Sequence, residues 1–367
     1  MKLTRTVTVL GLAVCAAGVA LFQGCSSDDS NGGGGNPEGG TGDLLHPPGP
    51  GGSATTSTEE RNFAIQKLFL GHTNRDGTQN LDAWQTFGYD LDGKATTATS
   101  TDVCTPLGAD TGKQVDGPHG VDNSFGYNVM PLLTYVASTA QDDINTAIGN
   151  GAFTAMIDVK GLTDDATQTA TGLSAKFFGG STLSSKPTFT TADKWPVTYE
   201  SLVNGDVNDP KIQFPNGYIT SGTWVNAQSG AGSITIALVL QSSTVNLTIR
   251  NAIITFEHSA PGDAANGIIA GVVKTQDFLD ALDPAVAAVG ACSTFATIGV
   301  PGIREASDML SDGTNVAGQP CDAISIGVGF TAKQIGAPAG PADPVPPGNP
   351  PTCKNQDGGA NASADGM

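Results

Sequence analysis

Two stretches of this 367-residue chain crowd Asp, Asn and Gly together in a way that suits cation binding. The first is Tyr89-Asp90-Leu91-Asp92-Gly93, resumed at Asp116-Gly117-Pro118-His119-Gly120-Val121-Asp122-Asn123-Ser124-Phe125-Gly126. The second is Asp308-Met309-Leu310-Ser311-Asp312-Gly313-Thr314-Asn315. Calcium takes six to eight oxygen ligands on a sharply turning loop, and these residue types supply both the oxygens and the turns. Asp90, Asp92, Asp116, Asp122 and Asn123 are therefore the candidate Ca2+ ligands. Neither stretch completes an EF-hand loop. The same residues also suit Asx turns, and Asp122 or Asn123 stands where a side chain would cap the next helix.

Other chemistry is sparse. The sequence holds no GxSxG, HExxH, P-loop or dinucleotide fingerprint. Of four histidines, His46 lies in a Gly/Pro-rich segment, His72 and His119 in turns, and His258 follows Glu257 at a strand end. A Glu-His pair can do acid–base work, but at a strand end it reads first as solvated surface. A glycosidase needs two facing carboxylates, and 35 acids give no way to choose them. Trp84, Trp195 and Trp224, with Tyr89 and Tyr127, suit either a sugar-stacking platform or core packing.

Acids outnumber bases 35 to 17, which disfavours nucleic acid as a partner. Charged residues are only 14% of the chain, so Ser, Thr, Asn, Gln and Gly must supply much of the surface. Lys2 and Arg5 precede an uncharged run from Val7 to Phe22, the layout of an export signal and short for a membrane span. Cys15 falls inside that run. Cys104, Cys292, Cys321 and Cys353 lie downstream, and four cysteines in an exported chain read as two disulfides with three connectivities. Proximity along the chain favours Cys292–Cys321, leaving Cys104–Cys353.

Leu21-Phe22-Gln23-Gly24-Cys25 resembles the lipobox of bacterial lipoproteins, with the leucine four residues before the cysteine. The resemblance implies cleavage after Gly24 and acylation of Cys25, palmitate among the chains. Ser26 implies delivery to the outer membrane. Each buried methylene adds about 0.8 kcal/mol, so several chains anchor firmly. The alternative is ordinary cleavage with Cys25 unmodified. The run Asp116 to Gly126, with Asn266-Gly267-Ile268-Ile269-Ala270-Gly271-Val272 and Cys321 to Phe330, resembles uncharacterised lipoproteins of myxobacteria, which implies no activity.

The organisation expected is a signal over 1–24, a Gly/Pro/Ser tether over 25–60, a β-rich domain over 61–336 and a Pro/Gly-rich tail over 337–367. Alternation supports an antiparallel β-sandwich or jelly-roll with one wet face: Ile234, Ile236, Leu238 and Leu240; Val245, Leu247 and Ile249; Phe153, Ala155, Ile157 and Val159; Ile324, Ile326, Val328 and Phe330. Gln241-Ser242-Ser243 and Asn216-Gly217 read as hairpin turns. A few short helices interrupt. One starts or kinks at Pro131. One is capped by Ser138 with Gln141. A third is capped by Thr275 over Gln276 to Leu282 and restarts at Pro284. The functional expectation is a lipid-anchored, non-enzymatic envelope domain that binds a polysaccharide or protein, or serves structure. A lipid-anchored hydrolase with a carboxylate- or calcium-assisted site is the alternative.

Overall fold

The computed structural model describes residues 43–108, 112–227, 232–240, 243–259, 262–345 and 350–353. The signal, Cys25, the first half of the expected tether, the Gln241-Ser242 turn and the end of the tail lie outside the described residues. Among those described, fourteen strands form: β1 (Ser53–Ala54), β2 (Glu60–Phe69), β3 (Thr154–Lys160), β4 (Ala170–Gly180), β5 (Pro196–Val197), β6 (Leu202–Val203), β7 (Asp206–Pro210), β8 (Ile212–Thr220), β9 (Thr223–Val225), β10 (Ile234–Leu240), β11 (Ser243–Ser259), β12 (Asp263–Lys274), β13 (Ala323–Ile335) and β14 (Gly340–Pro341). The protein is mainly β, as its alternation predicts. The strands run β8–β9–β11–β12–β13–β2–β3–β4, each antiparallel to the next, and β4 pairs back onto β8. The two layers expected of a sandwich are thus opposite walls of one closed sheet.

Register decides what fills the ring. Phe63 pairs with Ile157 and Ile157 with Phe177; Ala175 pairs with Phe214, Ile219 with Trp224, Trp224 with Phe256, and Ile269 with Val328. Cross-strand partners share a face, so these side chains all point inward. All are buried in one continuous core, and the Phe63 and Phe256 rings lie 5.3 Å apart. An eight-stranded barrel is just wide enough for its own side chains to fill.

Hairpin β10–β11 forms with Leu240 opposite Ser243. Its apolar face (Ile234, Ile236, Leu238, Val245, Leu247 and Ile249) joins the same core. Asn216-Gly217, expected as a turn, lies inside β8; the tight turn is Ser221-Gly222, both at positive φ. Gly217 sits where an added Cβ would lie 3.2 Å from the carbonyl oxygens of both Leu173 and Val225, so this glycine permits close passage between β4 and β9.

Helices α1 (Met130–Val136), α2 (Ala140–Gly149), α3 (Thr275–Ala288), α4 (Cys292–Thr294) and α5 (Val300–Glu305) complete the fold. A π-helical turn, Phe125–Val129, leads into α1 just before Pro131. The capping box at Ser138 does not form: Gln141 Oε1 accepts the amide of Leu70, just past β2, instead, and Asn145 bonds both polar backbone groups of Leu68. Thr275 does not cap either, because its hydroxyl bonds Ser307, and α3 runs through Pro284 unbroken. Tertiary partners outcompete the local caps at both places.

Two loop layers cover the outside. Residues around 181–211 bury Trp195, Val197 and Leu202 against Ala64, Met156, Phe178 and Ile335. Segments 70–108, 112–124 and 306–322 cover β11, β12 and β13, placing Tyr89 on Ile253 and Ala270, and Met309 on Val272 and Ala323. The wet face expected opposite Ile324, Ile326 and Val328 is therefore dry. Part of the expected tether is also laid down: β1 pairs with β4, Tyr218 Oη donates to the Pro48 carbonyl, and Leu45 exchanges backbone bonds with His119 and Asp90. At the other end, β14 pairs with β5.

The cysteines form two disulfides, but not as proximity along the chain suggests. Cys104 bonds Cys321, 217 residues away, and Cys292 bonds Cys353, 61 away. Backbone pairing sets the first: Thr105 donates to Gln319 and accepts from Cys321, which aligns the two cysteines. The second follows from the tail returning to α3, where the Cys353 amide donates to Asp283.

Candidate metal centre

The acidic stretches meet on the outer wall of β12 and β13. What seats them there is Asn123. Its Nδ2 donates to the carbonyls of Trp84, Phe87 and Gly327, and its Oδ1 accepts the amides of Gly126 and Gly327. A Cβ on Gly327 would stand 1.8 Å from the Phe87 carbonyl oxygen, and one on Gly329 would strike the Phe87 ring. Glycine at both outward positions of β13 is what lets the loop layer touch the barrel backbone. Asn123 is therefore removed from the set of candidate cation ligands, because its oxygen is filled by two amides. Its bond to Gly126 is the cap expected of it.

The remaining four acids converge. One carboxylate oxygen from each of Asp90, Asp92 and Asp122 lies within 4.8 Å of the others. Local turns aim them. Asp90 Oδ1 accepts the amides of Gly93 and Lys94, Asp92 Oδ1 accepts that of Lys94, and Gly93 turns at φ +78°. Asp122 Oδ2 accepts the Leu91 amide, tying the two halves together. Asp116 adjoins, its carboxylate held by the Thr96 amide. Asp90 and Asp122 are buried, and Asp90 Oδ2 and Asp92 Oδ2 are sealed from solvent without a hydrogen bond.

The second stretch joins the first. Asp308 is half-buried and accepts the Ser325 amide and hydroxyl. Asn315 bonds the Cys104 amide and the Asp308 carbonyl. Asp312 makes the Asx turn, accepting from Thr314. Burial, reinforced by neighbouring carboxylates, pushes Asp122 well above the usual carboxylate range and raises Asp92. The same causes push Asp116 and Asp308 up to about 7. Burial beside other carboxylates favours the protonated form of these groups, and a cation bound among them would oppose that.

Other sequence candidates resolve differently. Trp84, Trp195 and Trp224 are buried, as is Tyr89, so no sugar-stacking platform exists among them; Tyr127 alone of the five is exposed. Glu257 and His258 point to opposite faces of β11. His258 is not solvated surface: it is buried, with Nε2 2.7 Å from the Thr163 carbonyl, and burial lowers its pKa.

A pair not identifiable from the sequence lies on the neighbouring strands β2 and β3. Glu60 and Asp158 sit on β2 and β3 beside Lys160 and Lys176, in a cleft of about 240 Å³. Asp158 pairs in register with Asn62 and Lys176, facts available only once strands about 90 residues apart are matched. Hydrogen bonding from Asp158 holds Glu60 below the usual range. Burial, then the bond and charge of Glu60, pushes Asp158 up to about 8. The folded state thus holds a proton that the unfolded chain releases near pH 4, and stability associated with it is lost as pH rises from about 4 through about 8. Asp158→Asn is expected to raise the melting temperature by several degrees at pH 9 and to leave it nearly unchanged at pH 4. A pH series of thermal melts checks this, and an equal shift at both ends would contradict it.

No family model, curated protein or solved structure matches this chain, so its functional reading rests on these residues alone.

Proposed function

We propose that the protein is an exported lipoprotein, anchored through Cys25 to the outer membrane, whose barrel serves as a non-enzymatic binding or structural domain of the envelope. The observation that carries this reading is the pair of disulfides, since such bonds persist in oxidising compartments, as the export signal and lipobox would require. The barrel supports the binding half of the reading in one respect. Its interior is filled by aromatic and aliphatic side chains, so a polysaccharide or protein partner would be met on the outer loops and not in the lumen.

Mass spectrometry of the N-terminal peptide from membrane fractions tests the anchor. The expected peptide begins at Cys25 and carries acyl chains, and Cys25→Ala should release the protein into the soluble fraction. An unmodified Cys25 in membrane-bound protein would sink the proposal. The hydrolase reading rests on Glu60 and Asp158, whose environments drive two carboxyl groups apart in affinity for protons, a pattern that suits acid–base work. Turnover of a glycoside or ester panel that is lost in Glu60→Gln would favour it.

A further inference from the structure

We propose that Asp90, Asp92 and Asp122, backed by Asp116, hold one Ca2+ ion that fastens the loop layer and the segment 43–46 to the barrel. The separation of the three carboxylates fits a single cation about 2.4 Å from each oxygen. A second observation points to a ligand. Asp90 is 3% exposed and its Oδ1 is engaged by two amides, yet its Oδ2 is buried and accepts no hydrogen bond. Asp92 Oδ2 is buried in the same state. Buried carboxylate oxygens are costly to leave unpartnered.

The nearby basic groups give Asp90 Oδ2 an ion-pair contact but no hydrogen bond. Lys94 Nζ donates to the carbonyls of Asp102 and Asn315 and pairs with the exposed Asp102 carboxylate. His46 Nε2 approaches Asp90 Oδ2 to 3.4 Å without a hydrogen bond, and its side chain is half exposed. The donors are all hard oxygens, which selects against zinc, copper and other softer ions. Between the hard cations, burial favours Ca2+. Mg2+ gives up its water reluctantly, and the Asp90 side chain is wholly shielded from solvent.

The site also has a lid in contact with it. Asp90 donates its amide to Leu45, Leu45 donates to His119, and His119 Nδ1 lies 3.0 Å from the Asp43 carbonyl. The residue that offers the free oxygen therefore also holds segment 43–46. An ion bound at Asp90 would fix both sides of that contact together.

The test uses the mature, disulfide-bonded protein after chelation and dialysis. Isothermal titration with CaCl2 is expected to show one equivalent bound, with an accompanying rise in melting temperature. MgCl2 at the same concentration should give a smaller effect. Tb3+ should show luminescence sensitised through Tyr89 and Trp84, displaced by Ca2+. Asp122→Asn is expected to weaken Ca2+ binding at least tenfold, whereas Asp312→Asn, in the exposed Asx turn, should leave it unchanged. If Asp122→Asn does not fold, the stoichiometry and Tb3+ signal of the unaltered protein decide alone. Absence of binding at millimolar Ca2+ by folded protein, or equal binding of Mg2+, overturns the proposal.

Discussion

Replacing Asn123 with alanine should lower the free energy of unfolding by about 3–5 kcal/mol. The loss arises because the amides of Gly126 and Gly327 stay buried when their acceptor is removed. Each such group costs about 1–3 kcal/mol, and the loop carbonyls lose their donor as well. Asn123→Asp should be no milder, although the side chain keeps its size. Its second oxygen would face the carbonyls of Trp84, Phe87 and Gly327, where the amide donates. Urea denaturation of both variants measures this, and a loss below 1 kcal/mol in either would mean the layer is held elsewhere. Gly327→Ala perturbs the same contact from the barrel side, through the approach of its Cβ to the Phe87 carbonyl.

Removing the Cys104–Cys321 bond, as the double serine variant, should cost about 5 kcal/mol, against about 4 for Cys292–Cys353. Loop-closure entropy grows with the logarithm of the residues enclosed, here 217 against 61. The first bond has a further effect. Cys104 donates its amide to Asn315, which in turn bonds the carbonyl of Asp308, so its loss loosens the end of the acidic cluster. Denaturation midpoints of the two double variants give the ranking, and a larger loss on removing Cys292–Cys353 would reverse the argument.

The strands were legible because they alternate. Ile234, Ile236 and Leu238, and likewise Ile324, Ile326, Val328 and Phe330, are buried in the barrel core, as their patterns predict. What alternation does not report is whether the other face is wet. Ser325, Gly327 and Gly329 look like a solvent face and are instead the floor under Phe87 and Asn123. The acidic stretches were legible as candidates because Asp, Asn and Gly recur closely there, although Asx turns and caps use the same residues, as Asp312 and Asn123 do. Their convergence was not, since Asp308 reaches the first stretch through Ser325 of β13, whose hydroxyl also accepts the Ser124 amide. Asn123 shows the limit most clearly. Its composition matches a calcium ligand, and only the positions of Phe87 and Gly327 reveal that its hydrogen-bonding capacity is already used. The disulfide pairing failed for the same reason: sequence distance is a poor guide where backbone pairing brings Thr105 to Gln319.

The seam between β2 and β13 has a consequence for how the chain reaches its native state. Residues 62–69 pair with residues 329–335, so at least 260 residues of chain separate two neighbouring strands. On a chain delivered N-terminus first, β2 can pair with β3 early but waits for β13 until the last segment arrives. Such long-range closure is slow, and the waiting edge of β2 is open to pairing with other chains. Refolding should therefore be limited by a step that unites the two ends, and truncation before residue 323 should leave β2 and β12 as unpaired edges prone to aggregate.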